Sequence, residues 1–111
     1  MALLRLSAKK HWMSGEKEMS VMQFLPELKR FLFEKGSIYT VRHYKYLTTE
    51  VYVEDVGLCK RTFLRRILNK EQLANYVEWS GFDSIEQWWR AIQRFIPTGG
   101  DMWMFKVVLE K

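Results

Sequence analysis

The sequence predicts an α+β domain built on a mainly antiparallel sheet of five or six strands. Three observations predict it. A helical pattern bracketed by Pro26 and Gly36 runs straight into a β-branched, aromatic strand. A later helical pattern, entered through Asp83-Ser84, carries a continuous apolar stripe. The final segment, Met102 to Leu109, is apolar on both faces, as a central strand is. A twisted sheet of this size can curl into a barrel, which removes its edges.

Residues 1–18 read as an N-terminal arm or extension and 19–111 as the domain. Within the arm, Ala8 to Trp12 is basic with one aromatic, and Ser14 to Glu18 is polar. A short amphipathic helix, an edge strand and a mobile arm all remain open there. Ser20 to Phe24 reads as a first short strand. Pro26 suits a first helical turn. Leu28, Phe31 and Leu32 fall at i, i+3, i+4 and form the buried stripe. Glu27 and Lys35 complement the helix dipole, and Gly36 is the expected stop.

The strand Ser37 to Tyr44 follows. Alternation puts Ile38, Thr40 and Arg42 on one face and Tyr39, Val41 and His43 on the other. A Thr and an Arg on one face of an otherwise apolar strand are costly if buried without partners. The pair is therefore a candidate functional floor. The plain alternative is that Arg42 reaches a surface carboxylate.

Lys45 to Thr49 reads as a turn. Val51 to Val56 begins as an alternating strand that Gly57 interrupts. Cys59 to Leu68 is a strand holding the densest positive cluster, Lys60, Arg61, Arg65 and Arg66. Strict alternation groups Arg61, Phe63 and Arg65 against Lys60, Leu64 and Arg66. Basic residues interleaved with apolar ones suit a nucleic-acid-facing strand, or equally an edge kept soluble by charge.

Asn69 is placed to cap a helix from Lys70 to about Trp79, and Ser80-Gly81-Phe82 breaks it. Asp83 with Glu86 and Ser84 with Gln87 have capping-box spacing. Ile85, Trp88, Trp89, Ile92, Phe95 and Ile96 then repeat on one helical face, which makes Trp88 and Trp89 core residues. Pro97 to Gly100 ends that helix. In the closing strand, Trp103, Phe105, Val107 and Leu109 oppose Met102, Met104, Lys106 and Val108.

The formal charge is +5 and the pI about 9.4, which favours polyanionic partners, nucleic acid first. Aromatics at 15% exceed what a domain of this size readily hides, leaving rings for stacking. With one cysteine, Cys59, no intramolecular disulfide forms. Cys59 reads as a buried structural thiol. Two histidines and one cysteine make no zinc-type cluster, so no metal or cofactor is expected. His43 alternates away from Thr40 and Arg42. No apolar run approaches the ~20 residues of a membrane span, so a cytoplasmic protein without membrane contact is expected.

The order of elements and three segments resemble the ASCH domain of the PUA-like superfamily, over about Met19 to Leu109. The first segment is Phe24-Leu25-Pro26-Glu27-Leu28 through Lys35-Gly36-Ser37-Ile38-Tyr39-Thr40-Val41-Arg42. The second is Ser80-Gly81-Phe82-Asp83-Ser84-Ile85-Glu86-Gln87-Trp88, and the third is the aromatic last strand. The resemblance implies a small β-barrel with flanking helices and a cleft lined by the Thr40/Arg42 strand. It also implies a link to RNA or modified nucleotides. One branch of the family hydrolyses acetylcytidine with a Lys, a Glu and a Thr. Here Thr40 matches, whereas the family's Lys falls on Ser37 and its acid on Ser80. Lys35 and Glu78 stand two positions away.

Neither serine replaces an ammonium or a carboxylate. The expected function is therefore RNA or modified-nucleotide binding in a basic cleft, without catalysis. Thr40, Arg42 and Ser37 would line the cleft. Lys60, Arg61, Arg65 and Arg66 would grip phosphates, and Tyr39, Tyr44 or Trp79 would stack. One alternative is a small amidohydrolase of an acylated nucleoside using Thr40, Lys35 and Glu78. Another is a protein-interaction module using exposed aromatics and the basic face.

Overall fold

The computed structural model describes residues 20–46 and 48–110. The expected arm, 1–18, lies outside the described residues. The elements are β1 (Ser20–Met22), α1 (Pro26–Lys35), β2 (Ser37–Arg42), β3 (Glu50–Val53), β4 (Gly57–Arg66), α2 (Ile85–Phe95) and β5 (Trp103–Leu109). The strands form one sheet in the order β1-β3-β4-β5-β2. The pair β1–β3 is parallel and the other three are antiparallel. β5 is central, as its two apolar faces predict.

The local signals act as their chemistry requires. Pro26 opens α1, and Gly36 closes it in the left-handed region at φ 86°, donating its N–H to Leu32 O. Ser84 caps α2 by accepting from Gln87 N, while Gln87 Oε1 accepts from Asp83 N.

Each face of the sheet is covered by one helix. Leu32 of α1 packs with Met22, Ile38, Val51, Val53, Cys59 and Val107, all buried. Trp88, Ile92 and Ile96 pack with Ile67, Leu73 and Met104 on the opposite face. Gly81 lets the chain pass close to α1. Its φ is 86°, and a Cβ there would lie 2.6 Å from Leu28 Cδ2.

Two expectations change. The helix expected from Lys70 to Trp79 is two 3-10 turns, Lys70–Leu73 and Val77–Trp79. Asn69 does cap the first, in a capping box with Gln72. Asn75, Tyr76, Val77 and Trp79 are weak helix formers, however, so tight i→i+3 bonds replace a continuous helix.

The second change concerns closure. The sheet is open and not a barrel, because β1 and β2 remain its two edges. β1 has only three residues, all paired to β3. The gap is bridged by a side chain: Arg42, which ends β2, donates from Nη2 to the carbonyl of Gln23, which follows β1, at 2.8 Å.

Candidate nucleic-acid interface

The register across β2, β5 and β4 lays the α1 side of the sheet out in cross-strand rows. Arg42, Trp103 and Arg66 form one row, Thr40, Phe105 and Phe63 the next, and Ile38, Val107 and Arg61 the third. α1 covers the sheet around Ile38 and Val107. Phe24 and the first turn of α1 lie beside Thr40 and Arg42, whereas toward Trp103 and Arg66 the sheet carries Lys45 and Tyr46.

A β-bulge decides which cations share this surface. The β4–β5 register shifts between Phe63 and Arg65, so Phe63 opposes Phe105 but Arg65 opposes Met104 and Arg66 opposes Trp103. The extra residue, Leu64, reverses the alternation beyond it. Arg61, Phe63 and Arg66 therefore share one face, and Lys60 and Arg65 turn to the other. The strict alternation expected from the sequence, which put Arg65 beside Phe63, fails at that residue.

The cations of this surface lie on rings. The Lys45 ammonium sits 4.7 Å from the Phe63 centroid and 5.7 Å from that of Trp103. The Arg66 guanidinium is 5.4 Å from the Trp103 ring. Arg61 lies 4.3 Å over Tyr46 and 5.5 Å from Phe105. Such contacts fix the positive heads where a stacked base and its phosphate would meet them. Phe63 stays 37% exposed and Tyr44 63%, enough to offer a ring face.

Arg61 is buried, and its Nε and Nη2 both donate to Thr48 O, at 3.2 and 2.9 Å. It ties Thr48 and Tyr46 to the sheet, and burial pushes its guanidinium pKa down. Arg42 donates from Nε to Thr40 Oγ1 at 3.1 Å and lies 4.7 Å over Phe24. Burial lowers its pKa to about 10, and the positive charge of Arg61 adds to that lowering. It stays cationic at neutral pH. Among the described residues, no carboxylate pairs with Arg42 or Arg61, whereas Arg66 pairs with Asp101. Among the described residues, Arg42 bonds a hydroxyl and a backbone carbonyl rather than a surface carboxylate.

The other expected site residues scatter. Tyr39 faces α2 and packs edge-on against Tyr76, with centroids 5.0 Å apart. Ser37 lines a separate cavity with Tyr39, Trp79 and Lys106. Trp79 is 42% exposed and sits edge-on to Phe31. Lys35 is exposed on the last turn of α1, and Glu78 is exposed in the second 3-10 turn. No hydrogen bond joins either to Thr40. Ser80 is buried: its Oγ donates to Val77 O at 2.7 Å and accepts from Phe82 N at 3.0 Å. That serine shapes a turn.

Lys45, Tyr46 and Trp103 are not among the site residues the sequence singles out. The available signal is the aromatic–cation–aromatic run Tyr44-Lys45-Tyr46, which by pattern reads only as a turn. Among the described residues, no cluster of metal-ligating side chains occurs and no helix is long and apolar enough to cross a membrane.

A search of protein-family models finds no match, and neither do searches of curated proteins and of solved structures. Functional assignment therefore rests on this chain's own residues.

Proposed function

We propose that the domain binds single-stranded RNA or a modified nucleotide through the Phe63, Trp103 and Arg66 end of its α1-side sheet face. One observation carries this reading. Lys45 and Arg66 lie over Phe63 and Trp103, and Arg61 lies over Tyr46 and Phe105 beside them. Bases would stack on Phe63 and Tyr44 while Lys45 and Arg66 take phosphates. Thr40 and Arg42 form the adjoining floor, where the remaining guanidinium donors meet a base edge or a further phosphate. Lys60 and Arg65, on the opposite face, supply attraction at longer range. The order of elements and the Thr40-Val41-Arg42 strand support an ASCH-type, PUA-like relationship, with the sheet left open.

The reading is non-catalytic. Thr40 Oγ1 is engaged by Arg42 Nε, and Lys35 and Glu78 project from exposed turns. Among the described residues, no general base is bonded to the hydroxyl that would attack an acyl group. A cytoplasmic location fits an RNA partner and is part of the same proposal.

Fluorescence anisotropy with a labelled single-stranded RNA oligonucleotide tests it. Affinity should fall steeply between low and moderate salt. Arg66→Gln should flatten the slope of log K against log salt by ~0.7, the share of one phosphate contact on a single strand. Salt-independent affinity, or none at low salt, overturns the reading. Turnover across a panel of acylated cytidines would overturn its non-catalytic part.

A further inference from the structure

A carboxylate stands among the cations of the proposed RNA surface. Asp101 lies two residues before Trp103, so alternation extends the face of Trp103 and Phe105 to it. Its Oδ1 accepts from Nη2 of Arg66, whose guanidinium lies 5.4 Å from the Trp103 ring. The side chains of Asp101 and Arg66 are both half exposed.

The backbone around Asp101 is held from several directions. The His43 ring meets Asp101 O through Nδ1 at 3.3 Å. Gly100 N donates to Pro97 O, and Ile67 N donates to Met102 O, each at 2.8 Å. A Cβ at position 100 would lie 2.9 Å from His43 Cε1 and 3.0 Å from Pro97 O, so glycine lets this loop close on the imidazole. The His43 ring centroid is in turn 4.6 Å from that of Tyr44. One imidazole therefore separates the Asp101 backbone from Tyr44, the 63% exposed ring offered for stacking.

A fixed carboxylate is unfavourable to a phosphate backbone, because it lowers the local positive potential and takes a donor of Arg66. It suits a base edge instead. Oδ2 and the remaining lone pair of Oδ1 can accept further hydrogen bonds. Among the RNA bases, guanine alone sets donors on two neighbouring atoms of its Watson–Crick edge, N1–H and the N2 amine. Adenine and cytosine each offer one amine beside an acceptor. Uracil offers one N–H between two carbonyls, whose oxygens a carboxylate repels. Bonds to an ionised acceptor are the strong ones, so the base with two donors gains most.

We infer that Asp101 makes this surface selective for guanine in single-stranded RNA. The inference rests on the RNA reading above and adds the base to it. Guanine stacks on the free face of Tyr44, and its N1–H and N2 amine donate to the Asp101 carboxylate. Arg66 keeps its other donors for the adjoining phosphate. Asp101 thus lowers affinity for RNA in general and raises it for one base.

The probe is fluorescein-labelled decauridylate, compared by anisotropy at low salt with copies carrying one central guanosine, adenosine, cytidine or inosine. The guanosine copy should bind about tenfold tighter than the uridine, adenosine and cytidine RNAs, the value of one bidentate base contact. Inosine lacks only the N2 amine and should lose about fivefold against guanosine. Asp101→Asn should bring the guanosine copy to within about twofold of decauridylate, since an amide presents a single acceptor atom. The same variant should bind decauridylate more tightly than the parent chain does, because a negative charge has left the surface. If Asp101 only orients Arg66, the variant weakens every RNA alike and any guanosine preference persists, which overturns the inference. Equal affinity of the parent chain for all these RNAs, or a preference for adenosine or cytidine, also overturns it and leaves the RNA reading standing. Absence of binding to any of them removes the RNA reading and this inference with it.

Discussion

The α1 side of the sheet has two halves that differ in what covers them. Under the helix, Val51, Val53, Cys59, Val107 and Leu32 are completely buried and wholly apolar. Beside it, β2, β4 and β5 carry Arg61, Thr40, Arg42, Phe63, Trp103 and Arg66, and Lys45, Tyr46 and Thr48 take the helix's place. The strands are continuous across both halves, so the change of character is not a change of fold. It follows what lies on the strands: Leu32 of α1 in one half, and Lys45, Tyr46 and Thr48 in the other, where Phe63 and Arg66 stay exposed while Arg61 and Phe105 are buried.

Substitutions can break this contrast. Leu32→Ala, in the covered half, should have the largest effect. The side chain is fully buried, so its loss should cost about 2–5 kcal/mol of unfolding free energy in urea. A change well under that would mean that the covered half is not the stability core.

Phe63→Ala, in the other half, should show the reverse balance. Its ring is already 37% exposed, so destabilisation should be smaller than for Leu32→Ala. RNA affinity should fall by about 1–3 kcal/mol, the value of one stacked base. If RNA binding survived intact, the stacking role of this half would be lost.

The smallest effect is on titration. Burial, with a lesser contribution from Glu110, pushes the Cys59 thiol up to about 11 from an ordinary 9.0. Between those two values the folded state holds a proton that the unfolded state has released, so stability falls as pH rises through that window. Below it Cys59 contributes no pH dependence. The urea midpoint should therefore decline from about pH 9 upward. In Cys59→Ala that part of the decline should vanish, with the variant less stable than the parent below about pH 9 and the difference shrinking above it.

Much of this was legible in the sequence. Pro26, Gly36, Ser84 and Gln87 mark helix ends by local chemistry, and local chemistry is what a sequence displays. The central position of β5 followed from its two apolar faces. The bulge was not legible. Leu64 is one more apolar residue among basic ones, and its displacement is decided by pairing with a strand roughly forty residues later. The failure to close was hidden for a related reason. It depends on a three-residue β1 and on a guanidinium that reaches across to Gln23. The 3-10 turns show tertiary packing and weak propensity overriding an apolar spacing that looked helical. At the proposed site, alternation put Thr40 and Arg42 on one face and the family resemblance gave that face its expected role, whereas Lys45 and Trp103 join them only through the folded register.

The central strand is also the last to be made. β5 pairs with both β2 and β4, so until Leu109 leaves the ribosome β2 has no ladder at all. The growing chain must then carry Ile38, Val41 and their neighbours with neither partner strand nor finished core. At ~5–20 residues per second the emerging β2–β4 region waits several seconds for β5. Synthesis thus imposes a delay on folding, during which chaperones have their chance to engage the chain.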